Sequence, residues 1–118
     1  MASSDAARNR ATDGVAGTVT HVSLHSGDPG TTGANELAAG TAGYARVAKA
    51  YGTSSGGTAD LASAAVFDVS GGDTVSHWGA WDGTTFLHGE ALDHDPQAFS
   101  VDGQYTLNSA PYSAENPA

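Results

Sequence analysis

The chain has 118 residues, with 13 Asp and Glu against 4 Lys and Arg, a formal net charge of −9 and no Cys. That length holds one small domain. The missing cysteines exclude a disulfide framework, thiol chemistry and thiolate metal sites, and the acidity argues against nucleic acid as a partner, because its backbone calls for clustered Lys and Arg.

Large apolar residues are few: eight Val, six Leu, three Phe and no Ile. Such a balance favours disorder unless the apolar residues are patterned, and here they fall in strand-like runs. Residues 3–13 predict a short helix, with Ser3 or Ser4 as its cap, Asp5 in the first turn and Gly14 ending it. Its apolar face is thin, so it needs outside support. Thr18 to His25 alternates, Val22 and Leu24 on one face and Val19 on the other, and predicts a strand. Ser26 to Gly43 is rich in Gly, Asp, Asn, Pro and Thr and predicts a long loop of the kind that is usually functional or mobile. Tyr44 to Tyr51 predicts a second strand, Gly52 to Thr58 a flexible turn, and Ala64 to Val69 a third strand with Phe67 and Val69 on one face. After a turn at Gly71-Gly72-Asp73, Val75–Trp81 and Thr84–Glu90 predict a hairpin about Asp82-Gly83. Phe99 to Leu107 predicts the last strand.

Six short strands and one helix predict an all-β fold, an antiparallel β-sandwich or barrel with a short N-terminal helix. The expected layout is a helical arm over 1–13, a β-domain over 14–110 and a tail over 111–118. No run approaches the ~18 apolar residues of a membrane span, and the start lacks a basic region followed by an apolar one. The expectation is a soluble protein made in the cytoplasm, with no membrane partner.

Five histidines, at 21, 25, 77, 88 and 94, raise the question of a metal. Zinc needs three or four converging ligands. His21 and His25 share a strand face but are far apart, while His77 and His88 are near each other only if the hairpin brings them so. They read as polar or interfacial strand residues. The loop from Asp28 to Glu36 carries oxygen ligands that suit calcium, but lacks the closely spaced acids of an EF-hand. Turn chemistry accounts for it more simply. No GKS or GKT phosphate loop is present. Ser23, His25 and Asp28 lie close in sequence without a G-x-S-x-G elbow, and closeness in sequence is not triad geometry. Asp93-His94-Asp95 reads as a solvated turn. The residues suggest no catalytic group, cofactor or metal. Trp78 and Trp81 are three apart and point to opposite faces of a regular strand, so one can fill the core while the other reaches outward as an interface anchor; the alternative is that both are covered within the domain.

Three segments carry a resemblance: HVSLHSGDPGTTGANE (His21 to Glu36), GYAR (Gly43 to Arg46) and HWGAWD (His77 to Asp82). They are similar to the pattern LHTxDPGTTGANE, GxYAR, THWGLWD of small tailed-phage virion structural proteins, labelled capsid decoration, head fibre or tail fibre protein. The resemblance spans Asp5 to Leu107, with Ser26 in place of the usual Thr, and implies no catalytic or cofactor residue. Among these labels, small size, acidity and the lack of a repetitive stalk favour a capsid decoration (cement) protein on the outside of the assembled head, with the major capsid protein as partner. The alternative is a tail or head fibre component contacting the host surface. Polar ends on a thin core add the expectation of a homo-oligomer, a trimer by preference, whose ends touch a neighbour. The expected interface residues are Trp78, Trp81, Asp28, Asn35, Glu36 and Arg46. Arg46 is expected to pair with Asp28 or Glu36 and hold the loop to the sheet.

Overall fold

The computed structural model describes residues 4–114, which form one helix and ten short strands. Helix α1 (Asp5–Ala16) comes first, its N-terminus capped by the Ser4 side chain, which accepts from the Ala7 amide at 3.2 Å. The strands follow as β1 (His21–His25), β2 (Val47–Ala48), β3 (Thr58–Ala59), β4 (Ala65–Val69), β5 (Thr74–Val75), β6 (His77–Asp82), β7 (Thr85–Ala91), β8 (Gln97–Ala98), β9 (Gly103–Leu107) and β10 (Tyr112–Ser113). One four-stranded sheet has the order β2-β1-β6-β7, and three two-stranded ribbons pair β3 with β10, β4 with β9 and β5 with β8. Every pairing is antiparallel. The fold is all-β with one short N-terminal helix.

The core lies between the four-stranded sheet and the β4–β9 ribbon. Val22, Leu24, Trp78 and Ala80 come from the sheet, and Ala65, Phe67, Val69, Tyr105 and Leu107 from the ribbon. β4 shows the pattern cleanly: Ala65, Phe67 and Val69 are buried while Val66 and Asp68 between them face out. Such alternation fixes the register, since a slip of one residue would expose the whole set.

Several boundaries differ from those the sequence suggests. The helix runs through Gly14 to Ala16 because packing holds its last turns. Thr12, fully buried, donates to the Gly57 carbonyl at 2.7 Å and accepts from the Ala114 amide at 3.0 Å. Asp13 accepts from the Ser54 amide at 2.9 Å, and Asn9 accepts from the Gly57 amide at 2.7 Å. The helix therefore docks on the segment around β3, and β10 pairs with that same strand. Met1–Ser3 and Glu115–Ala118, on which part of the expectation about ordered polar ends rested, lie outside the described residues.

The strand expected over 44–51 narrows to β2, since Tyr44 turns into the core and Arg46 leaves the ladder to reach Glu36. The strand expected over 99–107 starts only at Gly103, as β9, and a further short strand, β10, follows it. Before β9, residues 99–102 fold over Gly71 and Gly72: the Gly72 amide donates to the Phe99 carbonyl at 2.7 Å and the Gly71 amide to Asp102 at 2.9 Å. The hairpin turn lies one residue later than expected, at Gly83-Thr84, because Asp82 pairs with Thr85. Gly83 takes φ of +57° while Thr84 keeps an ordinary φ. Glycine alone in the left-handed region at the first turn position is the type II′ pattern.

Candidate functional site

The motif segments meet on the second face of the four-stranded sheet, the one turned away from the core. β1 sends Val22 and Leu24 inward, so Ser23 and His25 point to the opposite face. On β6, opposite Ser23 and His21, Gly79 and Trp81 do the same. The loop from Ser26 onward closes over this face. Glycine makes the close approach possible at two levels. A Cβ at Gly79 would lie 2.6 Å from Ser23 Oγ and 2.8 Å from His25 Nε2. A Cβ at Gly33, where φ is +80°, would lie 2.6 Å from the Trp81 ring.

A chain of hydrogen bonds runs through the buried polar groups. Trp81 Nε1 donates to Ser23 Oγ at 2.8 Å, Ser23 Oγ lies 2.7 Å from His25 Nε2, and His25 Nδ1 lies 2.7 Å from the Ala34 carbonyl. A carbonyl only accepts, so Nδ1 carries the proton; Nε2 then accepts from the serine hydroxyl. The chain has one direction, from tryptophan to loop, and needs a neutral imidazole. Burial pushes the His25 pKa below its ordinary 6.5, against the opposing pull of the Ala34 carbonyl and the Glu36 charge. Among the described residues no buried side-chain nitrogen or oxygen is left without a partner.

Beside this chain stands a charged clamp. Arg46 binds Glu36 with two prongs, Nη2 to Oε1 at 2.9 Å and Nε to Oε2 at 3.0 Å. Tyr44 donates to Glu36 Oε2 at 2.8 Å, and its hydroxyl accepts from the Leu24 amide at 2.9 Å. Burial alone would raise the Glu36 pKa, but the hydrogen bonds from Arg46 and Tyr44 outweigh it and hold the carboxyl below its ordinary value. The Arg46 guanidinium lies over the Trp81 ring, its Cζ 3.4 Å from the centroid, a placement that adds cation–π attraction to the ion pair. Phe86 meets the same ring edge-on at 5.1 Å.

Of the residues expected at an interface, the fold gathers Trp81, Glu36 and Arg46 into this one cluster. Arg46 takes Glu36 rather than Asp28 as its partner. Asp28 and Asn35 shape the loop instead: Asp28 Oδ1 accepts from the Gly30 amide at 2.9 Å, Asn35 Nδ2 donates to the Asp28 carbonyl at 3.0 Å, and Asn35 holds φ of +63°. Asp28 and Asn35 are thus engaged in turn chemistry. Trp78 lies on the core face. The expectation of an outward tryptophan is corrected: Trp78 is 2% and Trp81 6% exposed. The two do point to opposite faces, but both faces are covered, one by the β4–β9 ribbon and the other by the loop.

Sequence reasoning passed over Ser23, His25, Tyr44, Gly33 and Gly79 as partners of one cluster. A signal for the first two was available, since i and i+2 on a strand share a face. The cluster's chemistry is that of a lock. Ser23 and His25 are both fully buried, the imidazole faces a backbone carbonyl where a triad places a carboxylate, and Asp28 is turned elsewhere. Among the described residues no group of three or more His, Cys, Asp or Glu is placed to hold a metal, and no helix is long and apolar enough to cross a membrane. Away from the lock, a cleft of about 130 Å³ is lined by Leu92, His94, Tyr105 and Ser109 among others; there His94 Nε2 bonds the Tyr105 hydroxyl at 2.8 Å.

A family model described as "Podophage GP4 fiber I protein gp80" matches residues 5–103, a stretch that contains the whole lock. No curated protein and no solved structure matches the chain.

Proposed function

This chain belongs to the podophage GP4 fiber I protein gp80 family, and we propose that it is a non-catalytic structural subunit of a virion fibre, acting by contact with its neighbours. The observation that carries this reading is the family match itself, which takes in the lock and most of the β-framework. The lock is consistent with it. The best-built polar cluster of the described chain consists of groups satisfied by each other, buried at Ser23, His25 and Trp81, partly exposed at the Arg46–Glu36 clamp, and tied to a loop of turn residues. Such a site makes a rigid surface and leaves no reactive group for a substrate.

A second reading has its own support. The chain is short, acidic and without internal repeats, which suits a cement protein spread over a capsid better than the shaft of a fibre. In that case many weak contacts to the major capsid protein would add up to shell stability.

The two readings part on a deletion phage. Under the fibre reading, particles without this protein keep stable heads, lack a projection and adsorb poorly. If such particles instead adsorb normally but release DNA at lower temperature or under osmotic shock, the cement reading replaces it.

A further inference from the structure

β7, Thr85-Phe-Leu-His-Gly-Glu-Ala91, is the outer strand of the four-stranded sheet. The opposite edge, β2, is two residues long and flanked by Arg46 and Lys49. Short length and basic residues are common ways to protect an edge from pairing. β7 has neither of these: it is seven residues long and holds no Pro, Lys or Arg, and its one irregularity, a register shift that leaves Leu87 unpaired between Phe86 and His88, lies outside the regular stretch His88–Ala91.

The register shows which of its backbone groups face out. The Leu92 amide donates to the Ser76 carbonyl at 3.0 Å, and Ser76 opposite Leu92 continues the pairing of His77 with Ala91. In an antiparallel pair, opposed residues alternate between exchanging both hydrogen bonds and exchanging none. Glu90 and His88 therefore bond to β6, while Gly89 and Ala91 turn their amides and carbonyls away from it. Among the described residues, no hydrogen bond outside the β6 ladder reaches the backbone of Thr85–Ala91.

We propose that β7 is a self-association edge, pairing antiparallel with β7 of a second copy of this chain about a two-fold axis at Gly89. The occupant follows from the side chains. With Gly89 opposite Gly89 of the second copy, outward-facing backbone meets outward-facing backbone. His88 then lies opposite Glu90 of the other copy, and Glu90 opposite its His88. The two residues already attract within one chain, His88 Nε2 to Glu90 Oε2 at 3.0 Å, and both keep exposed surface, 29% and 51% of their side chains. Two reciprocal His–Glu pairs result, on directly opposed positions whose Cβ atoms sit about 4.5–5.5 Å apart. Moving the axis to His88 would set Glu90 against Phe86 and His88 against itself, which removes both pairs. The contact is isologous, as two-fold contacts are, and joins two four-stranded sheets into one. It goes beyond the fibre reading and stands or falls on the isolated chain.

The test uses the purified full chain. Sedimentation equilibrium over a concentration series should give a monomer–dimer equilibrium, and hydrogen exchange should show the Gly89 and Ala91 amides gaining protection as dimer forms. Ala91→Pro removes an outward amide from an exposed position without touching the β6 ladder, and should abolish the dimer while the circular dichroism spectrum is kept. Glu90→Lys should weaken it at least tenfold, and Glu90→Lys combined with His88→Glu, which restores opposite charges, should recover it. A chain that stays monomeric throughout, an oligomer in which Gly89 and Ala91 exchange as freely as in the monomer, or an Ala91→Pro variant that dimerises like the parent overturns the proposal. So does a charge-swapped pair no stronger than Glu90→Lys alone.

Discussion

Replacing Gly33 by Ala tests whether the long loop is truly packed on the sheet, and Gly43 supplies the control. Both glycines have φ of +80°, so either substitution incurs the left-handed backbone penalty of about 1–2 kcal/mol. They differ in what the new methyl group meets. At Gly43 it finds nothing within 4 Å; at Gly33 it lands 2.6 and 2.7 Å from two carbons of the Trp81 ring and 3.0 Å from Phe86. Trp81 cannot move aside freely, because its indole donates to Ser23 and Arg46 lies over its face. Overpacking of this kind costs about 1–3 kcal/mol. Gly33→Ala should therefore destabilise by that margin more than Gly43→Ala. With a slope of roughly 1–3 kcal/mol per molar, the urea midpoints of the two variants should differ on the order of 1 M. Tryptophan fluorescence follows the transition, since both tryptophans lie in β6. Equal midpoints for the two variants would refute the argument, showing that Gly33 does not press on Trp81 in solution.

Three further outcomes follow from the same geometry. Because burial lowers the His25 pKa in the folded chain, the unfolded chain binds the extra proton first; stability should fall as pH drops below 6.5, and urea midpoints of His25→Gln should be flatter in that window. Glu36 acts lower down: its folded pKa is held below 4.5, so its contribution is complete above that value and is lost as pH falls through the folded value. Glu36→Gln should cost about 1–2 kcal/mol at neutral pH, a figure kept small because the pair is partly exposed, and a double-mutant cycle with Arg46→Met should show coupling. Thr12→Val keeps the shape but leaves the Gly57 carbonyl and the Ala114 amide unpaired; it should cost about 2 kcal/mol and speed hydrogen exchange in α1 first.

The sequence made the framework legible where period-two burial was strong. β1, β4 and the β6–β7 hairpin follow alternations at Val22/Leu24, Phe67/Val69 and across the two tryptophans, and the pairing of Arg46 with an acid of the loop could be foreseen from the motif. What could not be read was set by distant contacts. β2 is short because Tyr44 and Arg46 serve the core and the clamp, and neither role shows in local pattern. The helix outlasts Gly14 because Ser54 and Gly57, more than forty residues away, hold its last turns. The burial of Trp81 was hidden for a similar reason. Alternation set the two tryptophans on opposite faces, but nothing local says that a loop of Gly, Thr and Asn will cover the second face. Only Gly33 and Gly79, both small where a side chain would collide, hint at the cover.

The central claim, that this chain is a structural subunit of a virion fibre, is tested most directly by a cryo-electron microscopy map of purified particles. The account predicts density for the four-stranded sheet, with α1 docked beside β3 and β10, within a fibre that projects from the particle. Density for this fold spread across the capsid shell, or its absence from purified particles altogether, would contradict it.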